Sequence, residues 1–442
     1  MPFSPCRFPV RAAAVAAAAL LAALALTLLA APARAGAKPL FGVQVDSITP
    51  ATTRADIASQ LRTAARVRAR AIRVEADWSA LEPRAQGQHD AHTLAALDAV
   101  VAGAKARGIK VLLFLDRSPC WASSAPDKGS CSAPNANRFD VTRYPPADPQ
   151  SYVPMATFLA QRYGDALGAF EIWNEPDQAN EKYWAGPDKV RRYVDLMKAV
   201  YQPLKAIDPR LPVIAGSFVG TDGAWLKAMY DAGAKGFYDG LAVHFYDLPL
   251  YGLEQTRAVQ RAHGDRAPLW LTEYGWTSCR RGHRGPSFLA DHPCVTRREQ
   301  ARALADVVRA VAGRRWIKAA SVYTLHDQSH AYQFGILDRR GHRKPAFRAL
   351  RRELGRRRPG HLRRPTLHLR EAAGRLVIGG RGSIADVYVV RVFAGSQLLY
   401  RGYVRTTMKG TYSTALPSQL GTNGLRVRLS SMWSGAGVTR SR

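Results

Sequence analysis

Ala169-Phe170-Glu171-Ile172-Trp173-Asn174-Glu175-Pro176 is an apolar, strand-forming run that breaks into a proline turn. A handover of that kind is how a strand of an α/β barrel ends at the barrel mouth, where such folds carry their reactive groups. Glu175 is therefore expected at a mouth. A second stretch, Leu269-Trp270-Leu271-Thr272-Glu273-Tyr274-Gly275-Trp276, lies 98 residues on and delivers Glu273 from another apolar strand into an aromatic turn.

Residues 40–45, 71–75 and 109–115 read as strands, the last buried on both faces because it is almost continuously apolar. Helical spacing runs over 53–71 and over 92–107, the latter stopping at Gly108. Further strands are expected at 211–215, 240–245 and 317–325, with helices at 149–167, 187–207, 221–234, 253–262 and 346–354. Thr296-Arg297-Arg298-Glu299 is a capping box that opens another helix, to Gly313. Eight strand-then-helix units over roughly 315 residues predict an α/β fold, a (β/α)8 TIM barrel. A doubly wound open sheet is the rival, and the glycine-rich first turn it would need is missing.

Residues 355–365 turn basic and carry Pro and Gly, which marks a linker. Beyond it the helical period disappears. Strand candidates at 366–369, 375–378, 387–392, 398–404 and 425–429, parted by Gly/Ser turns, predict a small all-β sandwich over 366–442 after the barrel of 36–354. Tyr400, Tyr403 and Trp433 offer either a sugar-stacking face or, as is commoner, part of the sandwich core.

Residues 1–35 belong to neither domain. Arg7 and Arg11 precede an Ala/Leu-rich stretch over 12–31, and Ala33-Arg34-Ala35 supplies the small residues a signal peptidase reads, so cleavage after Ala35 and export are expected. The alternative is an uncleaved anchor, since about 20 apolar residues just span a bilayer. Cys6 leaves with the signal. The remaining four cysteines form two close pairs, and in an exported chain the simplest reading is a Cys120–Cys131 and a Cys279–Cys294 disulfide. Zinc is the rival reading, but no pair has finger or ribbon spacing, and no metal is expected.

The formal charge is +30, and removing Arg7, Arg11 and Arg34 leaves +27. Such an excess favours acidic partners: a uronic-acid or phosphate-bearing wall polymer, an anionic membrane surface or nucleic acid. Most of it is arginine spread along helices, with one dense run over 351–364. There is no zinc finger, glycine-rich phosphate loop or basic-aromatic repeat, so nucleic acid is not an expected partner.

Two carboxylates at two strand ends are the minimum equipment for breaking a glycosidic bond. The set Trp173-Asn174-Glu175-Pro176, His244, Tyr246 and Glu273 resembles clan A retaining glycoside hydrolases. Arg73, Trp78, Glu82-Pro83 and Pro119-x-Trp121 resemble families 39 and 5 of that clan, over about residues 39–354. The resemblance implies that Glu175 is the general acid/base and Glu273 the nucleophile, with no cofactor. It also implies Asn174 at the sugar 2-hydroxyl, Arg73 and Tyr246 holding Glu273, and His244 near the acid/base or substrate. Trp78, Trp121, Trp276 and Tyr323 fall on mouth loops as candidate stacking rings. Two places depart from the clan pattern. Asp116-Arg117 stands where many members have a histidine after strand three, and Tyr323-Thr324-Leu325-His326-Asp327 where many have a tryptophan after strand eight.

The expectation is a secreted, monomeric retaining β-glycoside hydrolase, endo-acting on an extracellular or cell-wall polysaccharide. An anionic polymer and wall contact through the basic surface fit the charge. A non-catalytic carbohydrate-binding or wall-anchoring barrel and a transglycosylase are the alternatives.

Overall fold

The computed structural model describes residues 39–49, 51–246, 249–279, 294–358 and 360–442. The segment read as an export signal lies outside the described residues, as does most of the loop between Cys279 and Cys294. Pro39–Arg442 form one compact unit.

Eight parallel strands close in chain order into a barrel: β1 (Leu40–Gln44), β2 (Ala71–Asp77), β3 (Lys110–Asp116), β4 (Leu167–Ile172), β5 (Val213–Phe218), β6 (Gly240–His244), β7 (Leu269–Tyr274) and β8 (Ile317–Val322). Pairing of Leu40 with Ala319 through to Val43 with Val322 seals β1 to β8 and leaves no free edge. A helix follows each strand, from Arg54–Val67 after β1 to Pro345–Leu354 after β8. The eight units expected from the spacing are all present. The capping box at Thr296 opens Arg297–Val311 as predicted, and Thr53 with Asp56 forms a second one ahead of Arg54–Val67.

Side chains alternate across each strand, so the odd and even positions divide between helices and lumen. Ile72, Val74 and Ala76 of β2 join the core under the helices, while Ala71, Leu112, Ala169, Ile214, Ala242, Trp270 and Ala319 form a separate apolar plug inside the barrel. Two residues nearer the mouth on the same strands stand Arg73, Phe114, Glu171, Gly216, His244, Thr272 and Ser321. The lumen thus turns from apolar to polar within one layer. Gly216 has φ +112°, and an added Cβ would lie 2.6 Å from the Ala242 carbonyl, so only glycine fits there.

The C-terminal strands are antiparallel and form two sheets. β9 (His368–Ala372), β10 (Arg375–Arg381) and β13 (Thr411–Ala415) make one, and β11 (Val387–Ala394), β12 (Gln397–Arg405), β14 (Leu425–Ser431) and β15 (Gly437–Ser441) make the other. Leu376, Ile378, Tyr388, Val390, Val427 and Leu429 share the core between them. β13 and β15 escape the sequence reading because their Thr/Ser/Gly-rich residues show no apolar alternation. The module rests on the barrel: Asp306 Oδ2 accepts from the Ile384 amide at 3.0 Å, and the Trp433 ring lies 5.8 Å from Trp316. Trp433 is therefore core rather than a sugar platform, and Tyr400 is partly packed into the sandwich. Tyr403 alone of the three is well exposed, at 53%. Cys120–Cys131 and Cys279–Cys294 are both bridged, with Cα separations of 5.4 and 5.5 Å.

Candidate active site

Arg73 is the hub of the polar layer. It is fully buried, and each of its five N–H groups has an acceptor. Nε and Nη2 grip Glu171 at 2.8 and 3.1 Å, Nη2 also reaches Asn174 Oδ1 at 2.9 Å, and Nη1 donates to Gln44 at 2.8 Å and to Glu273 at 2.5 Å. Its guanidinium also lies 3.8 Å from the centre of the Phe114 ring. A buried arginine needs carboxylates, and buried carboxylates need an arginine. Glu171, a charge in the middle of an apolar strand, is the sequence signal of this pairing, although it belongs to no motif.

A register shift in β7 brings the second carboxylate into place. Val243 of β6 pairs with Leu271 but His244 pairs with Glu273, so Thr272 is the extra residue of a bulge. Thr272 and Glu273, adjacent in sequence, consequently both bond to lumen groups. Tyr246 donates its hydroxyl to Glu273 Oε2 while Arg73 holds Oε1. Burial raises the Glu273 carboxyl above its ordinary value, and Arg73 and Tyr246 offset only part of that rise.

Glu175 is placed by backbone in the left-handed region. Arg117, Trp173, Glu175 and Ser217, just beyond or at the ends of β3, β4 and β5, have φ of 64°, 68°, 46° and 54°. Non-glycine residues adopt this conformation only under strain, which here is held by the Trp173 amide on Leu115 O at 3.1 Å and the Trp173 indole on Tyr183 O at 2.6 Å. Burial first, then the charge of Glu273, raises the Glu175 carboxyl well above the ordinary range. Gln178 donates to its Oε2.

His244 joins the two acids. Its Nδ1 lies 2.7 Å from Glu175 and 3.6 Å from Glu273, and its Nε2 lies 3.1 Å from Thr272 Oγ1, whose hydroxyl donates to Glu171 at 3.1 Å. Burial and Arg73 hold the imidazole well below its usual range, hence neutral. Because the Thr272 proton is committed to Glu171, Thr272 accepts from Nε2–H, which leaves Nδ1 as an acceptor. The hydrogen between Nδ1 and Glu175 then belongs to the carboxylic acid. One oxygen of Glu175, one of Glu273 and a ring nitrogen of His244 lie within 4.8 Å of one another. Both oxygens of Glu273 already accept hydrogen bonds, Oε1 from Arg73 and Oε2 from Tyr246.

The pair opens into a cavity of about 710 Å³. Asn174, Glu175, His244, Tyr246, Glu273 and Tyr323 are on its wall, and Arg73 lies behind Glu273. Trp78, Trp121 and Trp276 are not on the wall. Trp78 is buried with its indole on Glu82 at 2.8 Å, Trp121 packs edge-on against it at 5.5 Å, and Trp276 is buried beneath the β7 turn. These rings hold loops together because an indole beside an apolar core gains more by packing than by waiting for sugar. The wall also carries Glu75, Arg117, Lys182, Tyr183 and Tyr332, which no motif announces. Asp116, at the first departure from the clan pattern, is buried and held well above the ordinary range by burial, with Arg117 turned outward onto Glu75 at 3.0 Å.

Replacing Arg73 with Met is expected to lower unfolding free energy by about 3–5 kcal/mol, because Glu171 and Glu273 lose their buried counter-charge. Denaturant unfolding checks this, and a loss under about 1 kcal/mol would mean that the fork is not what balances the layer.

A family profile described as cellulase (glycosyl hydrolase family 5) matches residues 38–306, more than half of the chain. Among solved structures, a family 39 β-xylosidase from Caulobacter crescentus is 17% identical, with 87% of this chain and 95% of that chain covered at a TM-score of 0.55. A family 39 glycoside hydrolase from the gut symbiont Bacteroides cellulosilyticus WH2 is also 17% identical, covering 86% and 80% at 0.54. An endo-β-1,4-mannanase from Thermotoga petrophila is 15% identical, covering 92% and 97% at 0.51. At these identities the likeness is one of fold. No curated protein matches the chain.

Proposed function

The chain belongs to the cellulase family of glycosyl hydrolases, family 5, and from that premise we propose that it is a secreted, retaining β-glycoside hydrolase cutting within an extracellular or cell-wall polysaccharide. The observation that carries the reading is the approach of Glu175 and Glu273 to within 4.8 Å across the mouth. Retaining enzymes hold their carboxyls about 5–5.5 Å apart, whereas inverting ones leave about 6.5–9.5 Å for a water.

In this reading Glu273 attacks the anomeric carbon as a carboxylate while Glu175 gives its proton to the departing oxygen, forming a glycosyl-enzyme. Glu175 then takes a proton from water, which attacks the same carbon and releases Glu273. Asn174, tied to Arg73, faces the sugar 2-hydroxyl, and Tyr323 and Tyr246 supply ring faces at the cleavage point. His244 keeps the proton on Glu175.

Residues 36–354 would be the hydrolase domain, 355–365 the linker and 366–442 the accessory module. Two disulfides favour an oxidising compartment, in keeping with export. Among the described residues no helix is long and apolar enough to cross a membrane. Export and an appended β-domain favour a polymeric substrate, and internal cutting is tested on a panel of xylan, mannan, mixed-linkage β-glucan and a polyuronate. One of these is expected to lose most of its viscosity while few reducing ends have appeared. Release of monosaccharide with viscosity preserved would make the enzyme exo-acting, and binding without turnover on the whole panel and on aryl β-glycosides would leave a carbohydrate-binding barrel.

A further inference from the structure

About half of the charge excess sits in a fifth of the chain. Residues 355–442 hold sixteen Lys and Arg against two carboxylates, Glu371 and Asp386. Neither carboxylate offsets the outer face of the four-stranded sheet: Glu371 lies on β9 of the other sheet and pairs with Arg442 at 2.9 Å, and Asp386 is buried against Ser431 at 2.6 Å. The strands β11, β12, β14 and β15 contain no acidic residue.

The register of this sheet sets its arginines in line. Arg391 of β11 pairs with Arg401 of β12 on one side and with Arg428 of β14 on the other. Val390, Val392, Val427 and Leu429 point into the sandwich core, so the alternating arginines point away from it. Three guanidinium-bearing positions thus cross three neighbouring strands about 5 Å apart. Arg405 flanks the row on β12, Arg426 on β14, and all but Arg391 are exposed. Like charges directly opposite one another disfavour strand pairing. A fold stabilised for its own sake would alternate the signs, and this one does not.

Tyr403, 53% exposed, stands on β12 between Arg401 and Arg405. A ring between cations suits a ligand with both a sugar face and negative charges. Single-stranded nucleic acid is held on successive stacking rings, and here, among the described residues, the only other aromatic side chain on the row's side, Phe393, is covered by Arg426 at 4.6 Å.

We infer that the outer face of the β11–β12–β14–β15 sheet binds an acidic polysaccharide, with Arg391, Arg401 and Arg428 on its carboxylates and Tyr403 on a sugar ring. The choice of a polysaccharide rests on the glycoside hydrolase reading of the barrel. Through this face the accessory module keeps the barrel mouth beside a charged wall polymer.

The test uses the full chain and immobilised polygalacturonate at about 0.1 M NaCl. Arg391/Arg401/Arg428→Gln is expected to weaken binding at least about tenfold and to flatten the dependence of log K on log salt by about two to three units. Arg54/Arg62/Arg66→Gln, on an exposed barrel helix, removes equal charge and should change binding less than about twofold. Hydrolysis of an aryl β-glycoside should be unchanged in both variants, which reports that each is folded. It also separates this proposal from the catalytic one, since an inactive wild type that still binds through the sheet face would sink only the latter. Equal losses in the two triple variants would reduce the effect to net charge and overturn the site. Undiminished binding by the sheet variant would overturn it too, as would wild-type preference for duplex DNA or phosphatidylglycerol vesicles by about tenfold over the polyuronate.

Discussion

Glu273→Gln is expected to lower kcat on an aryl β-glycoside by on the order of 10⁴-fold or more, since no other group can supply the displaced covalent bond. The substitution keeps volume and leaves an amide oxygen to accept from Arg73 and an amide NH2 to donate to the Tyr246 hydroxyl, which turns from donor to acceptor, so the polar layer retains its partners. Unfolding free energy should change far less than in Arg73→Met. Substrate binding should survive, read by calorimetry with an oligosaccharide the variant no longer cuts. A variant with more than about a tenth of wild-type turnover would remove Glu273 from the nucleophile's role.

Glu175→Ala should show a loss that depends on the leaving group. With an alkyl or sugar leaving group the proton is needed, and a loss of about 10²–10⁴-fold is expected. With dinitrophenolate, which departs without a proton, the first step should stay fast and a glycosyl-enzyme should accumulate. Azide needs no general base, so it should accelerate turnover and yield a β-glycosyl azide. Equal losses for all leaving groups, with no azide effect, would contradict an acid/base role.

The same pair predicts the pH profile. Activity needs Glu273 ionised and Glu175 protonated, so kcat/KM should be bell-shaped, falling at low pH as Glu273 takes up a proton and at high pH as Glu175 loses its own. Burial and the Glu273 charge put the high-pH limb well above the ordinary carboxylate range. Once Glu273 is esterified its charge is gone, which lowers Glu175 at the moment it must act as a base. Glu273→Gln should mimic that change and move the Glu175 titration downward.

The barrel is legible in the sequence because each strand is a short apolar run that ends in a turn, and because a strand buried on both faces has little freedom in composition. Glu175 and Glu273 are legible for the same reason: a carboxylate at the end of an apolar strand is expensive unless it has work. The wall of the cavity is not. Lys182, Tyr183 and Tyr332 lie on loops whose path depends on contacts such as Trp173 to Tyr183, and spacing carries no record of those. Nor can the β7 bulge be read, since Leu271-Thr272-Glu273 alternates like any strand until its register against β6 is seen. Trp78, Trp121 and Trp276 show the converse, in which residue type alone suggests sugar stacking but the rings stand off the cavity wall, Trp78 and Trp276 buried and Trp121 partly buried against Trp78.

Retention requires the two carboxylates to work on opposite faces of one anomeric centre without room for a water between them. Proton NMR of an aryl β-glycoside digest, recorded before mutarotation, tests it directly. Double displacement predicts that the β-anomer of the released sugar appears first and the α-anomer only later, at the mutarotation rate. Initial appearance of the α-anomer would show single displacement by water and contradict the paired roles of Glu175 and Glu273.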